Sequence, residues 1–125
     1  MILVAPDLER FLPRVVHEVL AEKYPGLLTS RAAPADLRDR PIAVFHREGG
    51  VSKNRLIDQA RVAVDVYAPT ESAANDLVRD VRGVLDALQG HDPVLTVSST
   101  GPTPMVGAVP QRRFYADILI RRVTL

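Results

Sequence analysis

The sequence predicts an α+β domain: a mainly antiparallel sheet of about four to five strands with two helices packed on one face. Three observations lead there. Segment 59–68 alternates Val62, Val64, Val66 and Ala68 with Arg61, Ala63, Asp65 and Tyr67, the period of a strand with one buried face. Segments 7–23 and 71–89 instead repeat their apolar residues every three or four positions, the period of a helix. The resulting order, α-β-β-β-α-β-β, implies a layer of two helices on a mostly antiparallel sheet.

The first helix takes its stripe from Leu8, Phe11, Leu12, Val15, Val16, Val19 and Leu20, with Asp7 after Pro6 as its N-cap. Pro13 has no N–H and crowds the carbonyl of Glu9, so the helix either kinks or begins there. Pro25-Gly26 ends it. A short strand follows near Leu27–Arg31, then a loop. Ile42–Arg47 reads as a strand that Gly49-Gly50 breaks. Residues 48–58 read as a polar loop, too long for a tight hairpin turn. After the strand 59–68, Pro69 stops it and Thr70 caps the second helix. That helix carries Ala74, Leu77, Val78, Val81, Leu85 and Leu88, with Gly90 at its C′ position. Gly83 weakens it by up to ~1 kcal/mol relative to alanine. Arg82 and Asp86, four apart, form an exposed pair of small effect.

Val94–Ser99 reads as a strand, and residues 100–111, with three prolines and two glycines, as a long ordered loop. The last strand spans Arg112–Val123. Phe114, Ala116, Ile118 and Ile120 point one way; Arg113, Tyr115, Asp117 and Arg121 point the other, with Leu119 among them. The expected core joins Val64, Val66, Leu77, Val81, Phe114, Ile118 and Ile120. The second faces of strands 59–68 and 112–123 mix Arg, Asp and Tyr. Unpaired charges are costly to bury, so this face is either solvated and paired or a subunit interface or channel wall.

At 125 residues the chain fits a single domain, 1–125, with 46% hydrophobic and 25% charged residues, proportions that exclude overall disorder. The formal charge of +1 lacks the basic excess of a dedicated nucleic-acid binder. Of 16 basic residues only Lys23 and Lys53 are lysines. Arginine suits bidentate interface contacts, and a GC-rich genome yields the same bias. The absence of cysteine excludes disulfides and thiolate metal sites and suits a reducing compartment. The apolar start, Met1 to Ala5, is too short for a signal peptide or membrane span, so a cytosolic site of synthesis and no membrane partner are expected.

No chemistry-bearing constellation stands out. His17, His46 and His91 lack a second histidine at metal spacing. Asp65 and Asp117 could pair across strands and bind a metal, but no Glu-x-Lys follows Asp65, and Arg-paired or solvated carboxylates are the simpler reading. Gly49-Gly50-Val51-Ser52-Lys53 lacks the spaced glycine of a phosphate loop. Ser98-Ser99-Thr100 lacks the glycines of a nucleophile elbow. No catalytic, cofactor or metal residue is therefore assigned, and the chain reads as no enzyme.

One stretch resembles a known family. Arg40-Pro41-Ile42-Ala43-Val44-Phe45-His46-Arg47-Glu48-Gly49-Gly50 is followed by Ile57-Asp58-Gln59-Ala60-Arg61-Val62-Ala63-Val64-Asp65-Val66-Tyr67-Ala68-Pro69-Thr70, then by a helix with Ala73-Ala74-Asn75-Asp76-Leu77. The order of a Pro-led strand, Gly-Gly, an alternating strand ending in Tyr-Ala and a Thr-opened helix is similar to the tail terminator proteins of long-tailed phages, especially those infecting actinobacteria. The strand Arg112-Arg113-Phe114-Tyr115-Ala116-Asp117-Ile118-Leu119-Ile120-Arg121-Arg122, with Gly101-Pro102 before it, also fits, so the resemblance covers most of 34–124. It implies a structural virion protein: a hexameric ring on the head-proximal end of the tail tube. Such a ring ends tube polymerisation, joins the tail to the neck and lets DNA pass through its lumen without sequence-specific binding. Its expected partners are other copies of itself, the tail tube protein and a neck or stopper protein, at the tail–neck junction of the virion. The alternative is another connector component, such as a stopper or head completion protein. A tube grows head to tail, so a terminator must match one ring surface and not reproduce it. The candidate contacts are Arg47, Glu48, Lys53, Arg55 and Asp58 in segment 47–58, Arg112 just beyond segment 99–111, and Arg61, Asp65, Arg113, Asp117 and Arg121 on the sheet.

Overall fold

The computed structural model describes residues 1–36 and 39–125. Its elements are β1 (Leu3–Val4), α1 (Leu8–Leu20), β2 (Leu28–Ser30), β3 (Ile42–Ser52), β4 (Ile57–Tyr67), α2 (Glu71–Ala87), β5 (Val94–Met105), β6 (Gln111–Arg121) and β7 (Val123–Thr124). The chain is α+β as expected, in the predicted order, with the two-residue strands β1 and β7 added and paired with each other. Five strands form one sheet in the order β2-β3-β4-β6-β5. Only β2 runs parallel to its neighbour; every other pair is antiparallel.

Helix α1 runs through Pro13, which is buried on its inner face. The missing N–H therefore neither ends the helix nor starts it. Asp7 occupies the N-cap position but gives no side-chain bond; its backbone carbonyl accepts from Phe11 N at 3.0 Å. The helix closes three residues earlier than expected, and its last turn loosens into Ala21–Tyr24. Helix α2 begins as predicted: the Thr70 hydroxyl accepts from Ala73 N at 3.1 Å. Gly90 is left-handed at φ 84°, but the C-cap is Leu88, so it lies one residue beyond the expected C′ position.

Both helices cover one face of the sheet. Leu8, Leu12, Val16 and Leu20 of α1 and Leu77, Val78, Val81 and Leu85 of α2 meet Phe45, Val62, Val64, Val66, Phe114, Ala116, Ile118 and Ile120. All seven residues of the expected core lie in this cluster.

Two expected loops are strands. β3 and β4 form a hairpin joined by Lys53–Leu56, where segment 48–58 was expected to be irregular. Between Arg47 and Gly50 a β-bulge shifts the register, so the alternation that would reveal the strand is broken in the sequence. Gly50 is required there: at φ 147° an added Cβ would lie 2.0 Å from the Gln59 carbonyl oxygen. On the other side, β5 continues from Ser99 through Pro102 and Pro104 to Met105. A proline cannot donate to a ladder, but β5 is an edge strand and has no second ladder to lose. The loop expected after β2 includes Leu37 and Arg38, which lie outside the described residues.

The second sheet face is not uniformly wet. Ile42, Val44 and Ala63 lie on it and are buried, outside the main core cluster. Toward β5 the same face opens, and Arg61, Thr96, Ser98 and Thr100 are exposed.

Candidate functional site

The charges predicted as contact residues fall into three settings. The first lies on the second sheet face. Register places Asp65 directly opposite Arg113, and Asp117 opposite Arg61. Asp65 is 2% exposed and takes two bonds from the Arg113 fork: Nε to Oδ1 at 2.7 Å and Nη2 to Oδ2 at 2.9 Å. Gln111 donates to the same carboxylate at 3.0 Å, and His46 Nε2 stands 3.8 Å away. The bond from Arg113 to Asp65 raises the guanidinium pKa further. Burial raises the Tyr67 hydroxyl, and the charge of Asp65 adds to it. Arg61 does not bond Asp117; its guanidinium lies 4.6 Å over the Tyr115 ring. Asp65 and Asp117 are thus separated by four positions along the ladder, ~13 Å at strand rise, and do not converge on one ion. Among the described residues no group of three His, Cys, Asp or Glu could hold a metal.

The second setting is the turn end of the β3–β4 hairpin. Strand parity puts Arg47 and Asp58 on the helix-covered face, not with the sheet charges. Asp58, 6% exposed, accepts from Arg47 at 2.7 Å and from Arg122 at 3.3 Å. Arg122 also donates to Ser52 Oγ at 2.7 Å. Sequence reasoning missed Arg122, although its parity with Ile118 and Ile120 assigns it to the inner face. Glu48, Lys53 and Arg55 are exposed and make no ion pair among the described residues. Arg112 likewise turns to the helix side and meets Glu71, at the start of α2, at 2.6 Å. Arg121 leaves the sheet for Asp92, with two bonds of 2.7 Å.

The third setting was not anticipated: the outer edge of β5 is closed from within. Gly90 N donates to the Leu95 carbonyl at 3.3 Å, and Val97 N donates to Gln89 Oε1 at 3.1 Å. Arg82 then donates to the Ser99 carbonyl at 3.0 Å and to the Gly101 carbonyl. Arg82 and Asp86 do not pair directly as expected. Ser99 Oγ stands between them, accepting from Arg82 at 2.8 Å and donating to Asp86 at 3.0 Å. The opposite edge is three residues long at β2, and the outer part of β3 is interrupted by the bulge between Arg47 and Gly50. Long unpaired edges invite strand addition, and both are obstructed in this fold.

A groove of about 520 Å³ lies between the outer sides of α1 and α2. Its floor includes Val15, Val19, Val84, Ala87 and Leu88, and Gly83 leaves open space above it. At one end Asp80 accepts from Lys23 at 2.7 Å and from the Tyr24 hydroxyl at 2.5 Å. Partial burial opposes ionisation of Asp80, but these two bonds outweigh it and hold the carboxyl below its usual value. Burial, then the bond to Asp80, pushes the Tyr24 hydroxyl well above its own.

No family model matches this sequence, and no curated protein gives a significant match. Among the described residues no helix is long and apolar enough to cross a membrane.

Proposed function

We propose that the chain is a ring-forming structural subunit at the head-proximal end of a phage tail, acting as its terminator. In this reading it stops tube growth and joins the tail to the neck. The observation that carries it is the β3–β4 hairpin. The two segments that resemble tail terminators, Arg40 to Gly50 and Ile57 to Thr70, fall on the two arms of one hairpin that leads into α2. Its tip projects two exposed apolar side chains, Val51 at 56% and Leu56 at 59%, with Lys53 and Arg55, which make no ion pair among the described residues.

The charge arrangement is compatible with a DNA passage. Arg47, Arg112, Arg113, Arg121 and Arg122 are each tied to a carboxylate of the same subunit. Arginines paired within the subunit attract phosphate weakly, whereas free arginines would bind DNA through counterion release. With the β5 edge covered and the opposite edge short and interrupted by a bulge, the faces, groove and hairpin tip are the main association surfaces, which suits a head-to-tail ring rather than an extended sheet.

Image reconstruction of assembled tails tests the proposal. The expected result is one six-fold layer of this chain between tube and neck. Its presence as the repeating tube subunit, or its absence from the particle, overturns the reading. A layer on the head side of a separate terminator ring would identify a stopper or head completion protein instead.

A further inference from the structure

We propose that the open half of the second sheet face packs against the same face of a second copy, with Arg61 and Asp117 of each copy pairing across a two-fold axis. The proposal does not rest on the ring reading.

The register maps this face row by row. Strands β4, β6 and β5 bring Arg61, Asp117 and Ser98 side by side. The next row toward the hairpin turn is Val51, Gln59, Leu119 and Thr96. Opposite charges in directly opposed positions of an antiparallel pair ordinarily attract each other. Arg61 and Asp117 do not bond. Arg61 is exposed and rests 4.6 Å over the Tyr115 ring. Asp117 is partly buried and has no hydrogen-bond or ion-pair partner among the described residues. The other carboxylate and guanidinium groups of this face are paired within the subunit, Asp65 with Arg113 and Arg121 with Asp92.

The face therefore keeps one free cation and one free anion on adjacent strands, with backbones ~5 Å apart. That balance selects the occupant. A polyanion satisfies Arg61 and is repelled by Asp117, and a basic partner meets the reverse. A second copy satisfies both at once. A two-fold axis that runs along the β4–β6 seam, between the two sheets, lays β4 of one copy over β6 of the other. Arg61 then faces the partner's Asp117, and Asp117 faces the partner's Arg61. A long guanidinium side chain against a short carboxylate spans the ~10 Å between packed sheets. The same axis sets Gln59 against the partner's Leu119, and Val51, 56% exposed, against the partner's Thr96.

Area sets the strength. Four strands by two or three rows make a patch about 15 Å on a side. That is well below the ~800 Å² per partner of a stable complex. The contact is therefore transient: it forms at high protein concentration and weakens with salt. A two-fold contact uses one patch twice and closes at two copies, unlike the head-to-tail contact of a ring.

Sedimentation equilibrium at rising concentration tests the proposal. The parent chain should show a monomer–dimer equilibrium that weakens as salt is raised. Arg61→Glu brings two carboxylates together at each pairing, and Asp117→Arg brings two guanidiniums together. Each variant alone should dimerise about tenfold more weakly, or less still. An equal mixture of the two variants should recover the parent's association, because every cation in the mixed dimer again faces an anion. Recovery in the mixture also shows that neither variant lost its fold. A parent chain that stays monomeric to millimolar concentration overturns the proposal. So do single variants that associate as the parent does, or a mixture that associates no better than either variant alone. Tails that lack a six-fold layer of this chain overturn the ring reading and leave this contact standing.

Discussion

Asp65 and Arg113 stand directly opposite each other on β4 and β6, joined by two bonds of 2.7 and 2.9 Å, with the carboxylate buried and the guanidinium partly in water. The pair closes the polar side of the sheet's central seam. Replacing Arg113 with Met strands a buried carboxylate and should cost about 3–5 kcal/mol in urea unfolding at neutral pH. Replacing Asp65 with Leu in the same chain should recover most of that loss. A double variant as unstable as the single one would show that the cost lies in packing.

Ile118 is fully buried between the two helices and the sheet. Ile118→Ala should lower stability by about 2–5 kcal/mol, with an unchanged denaturant slope. A midpoint that barely moves would contradict its place in the core.

Arg82 guards the β5 edge through its bonds to the Ser99 and Gly101 carbonyls. Arg82→Ala should lower stability by about 1–3 kcal/mol and free two carbonyls of an edge strand. Light scattering at rising concentration should then detect more association than in the parent chain. Scattering identical to the parent would show that the prolines and bulges of β5 suffice alone.

The Tyr24–Asp80 bond makes stability pH-dependent at both ends. Asp80 is held below its ordinary value of 3.8, so its contribution is complete above that pH and is lost as pH falls through the lowered value. Tyr24 is raised above its ordinary 10.0, so its contribution is complete below that pH and is lost as pH climbs toward the raised value. Asp80→Asn should flatten the acid limb of a stability–pH curve. Tyr24→Phe should reduce the alkaline limb without abolishing it, because Tyr67 shifts in the same direction.

The elements with intact periodicity were legible. Val62 to Ala68 alternates without interruption, and Thr70 meets Ala73 N at the spacing its residue type predicts. What escaped had physical causes. The bulge between Arg47 and Gly50 resets side-chain parity, so the outer half of β3 resembles a loop. Pro102 and Pro104 argue against a central strand, and whether β5 is central or at an edge depends on strand order, which periodicity does not contain. The alternation of the charged face was legible, but the ion pairs on the two sides of the sheet were not. Asp65 finds Arg113 and Asp58 finds Arg122 only through the β4–β6 register. The groove was hidden because Val19 and Leu88 count as core residues in a helical stripe, whichever side of the stripe a neighbour leaves open.

The β4–β6 seam also shapes how the molecule folds. The β3–β4 and β5–β6 ladders are each closed by a short local connection, whereas the seam joins Tyr67 to Gln111 across the whole of residues 68–110. Long-range ladders form late, because chain closure must be met before their contacts reward it. Two preformed hairpins should therefore dock along β4 and β6 in the rate-limiting step, with α2 carried between them. Once docked, the seam amides are reached by solvent only when the domain opens as a whole, and they should be the slowest to exchange their hydrogens.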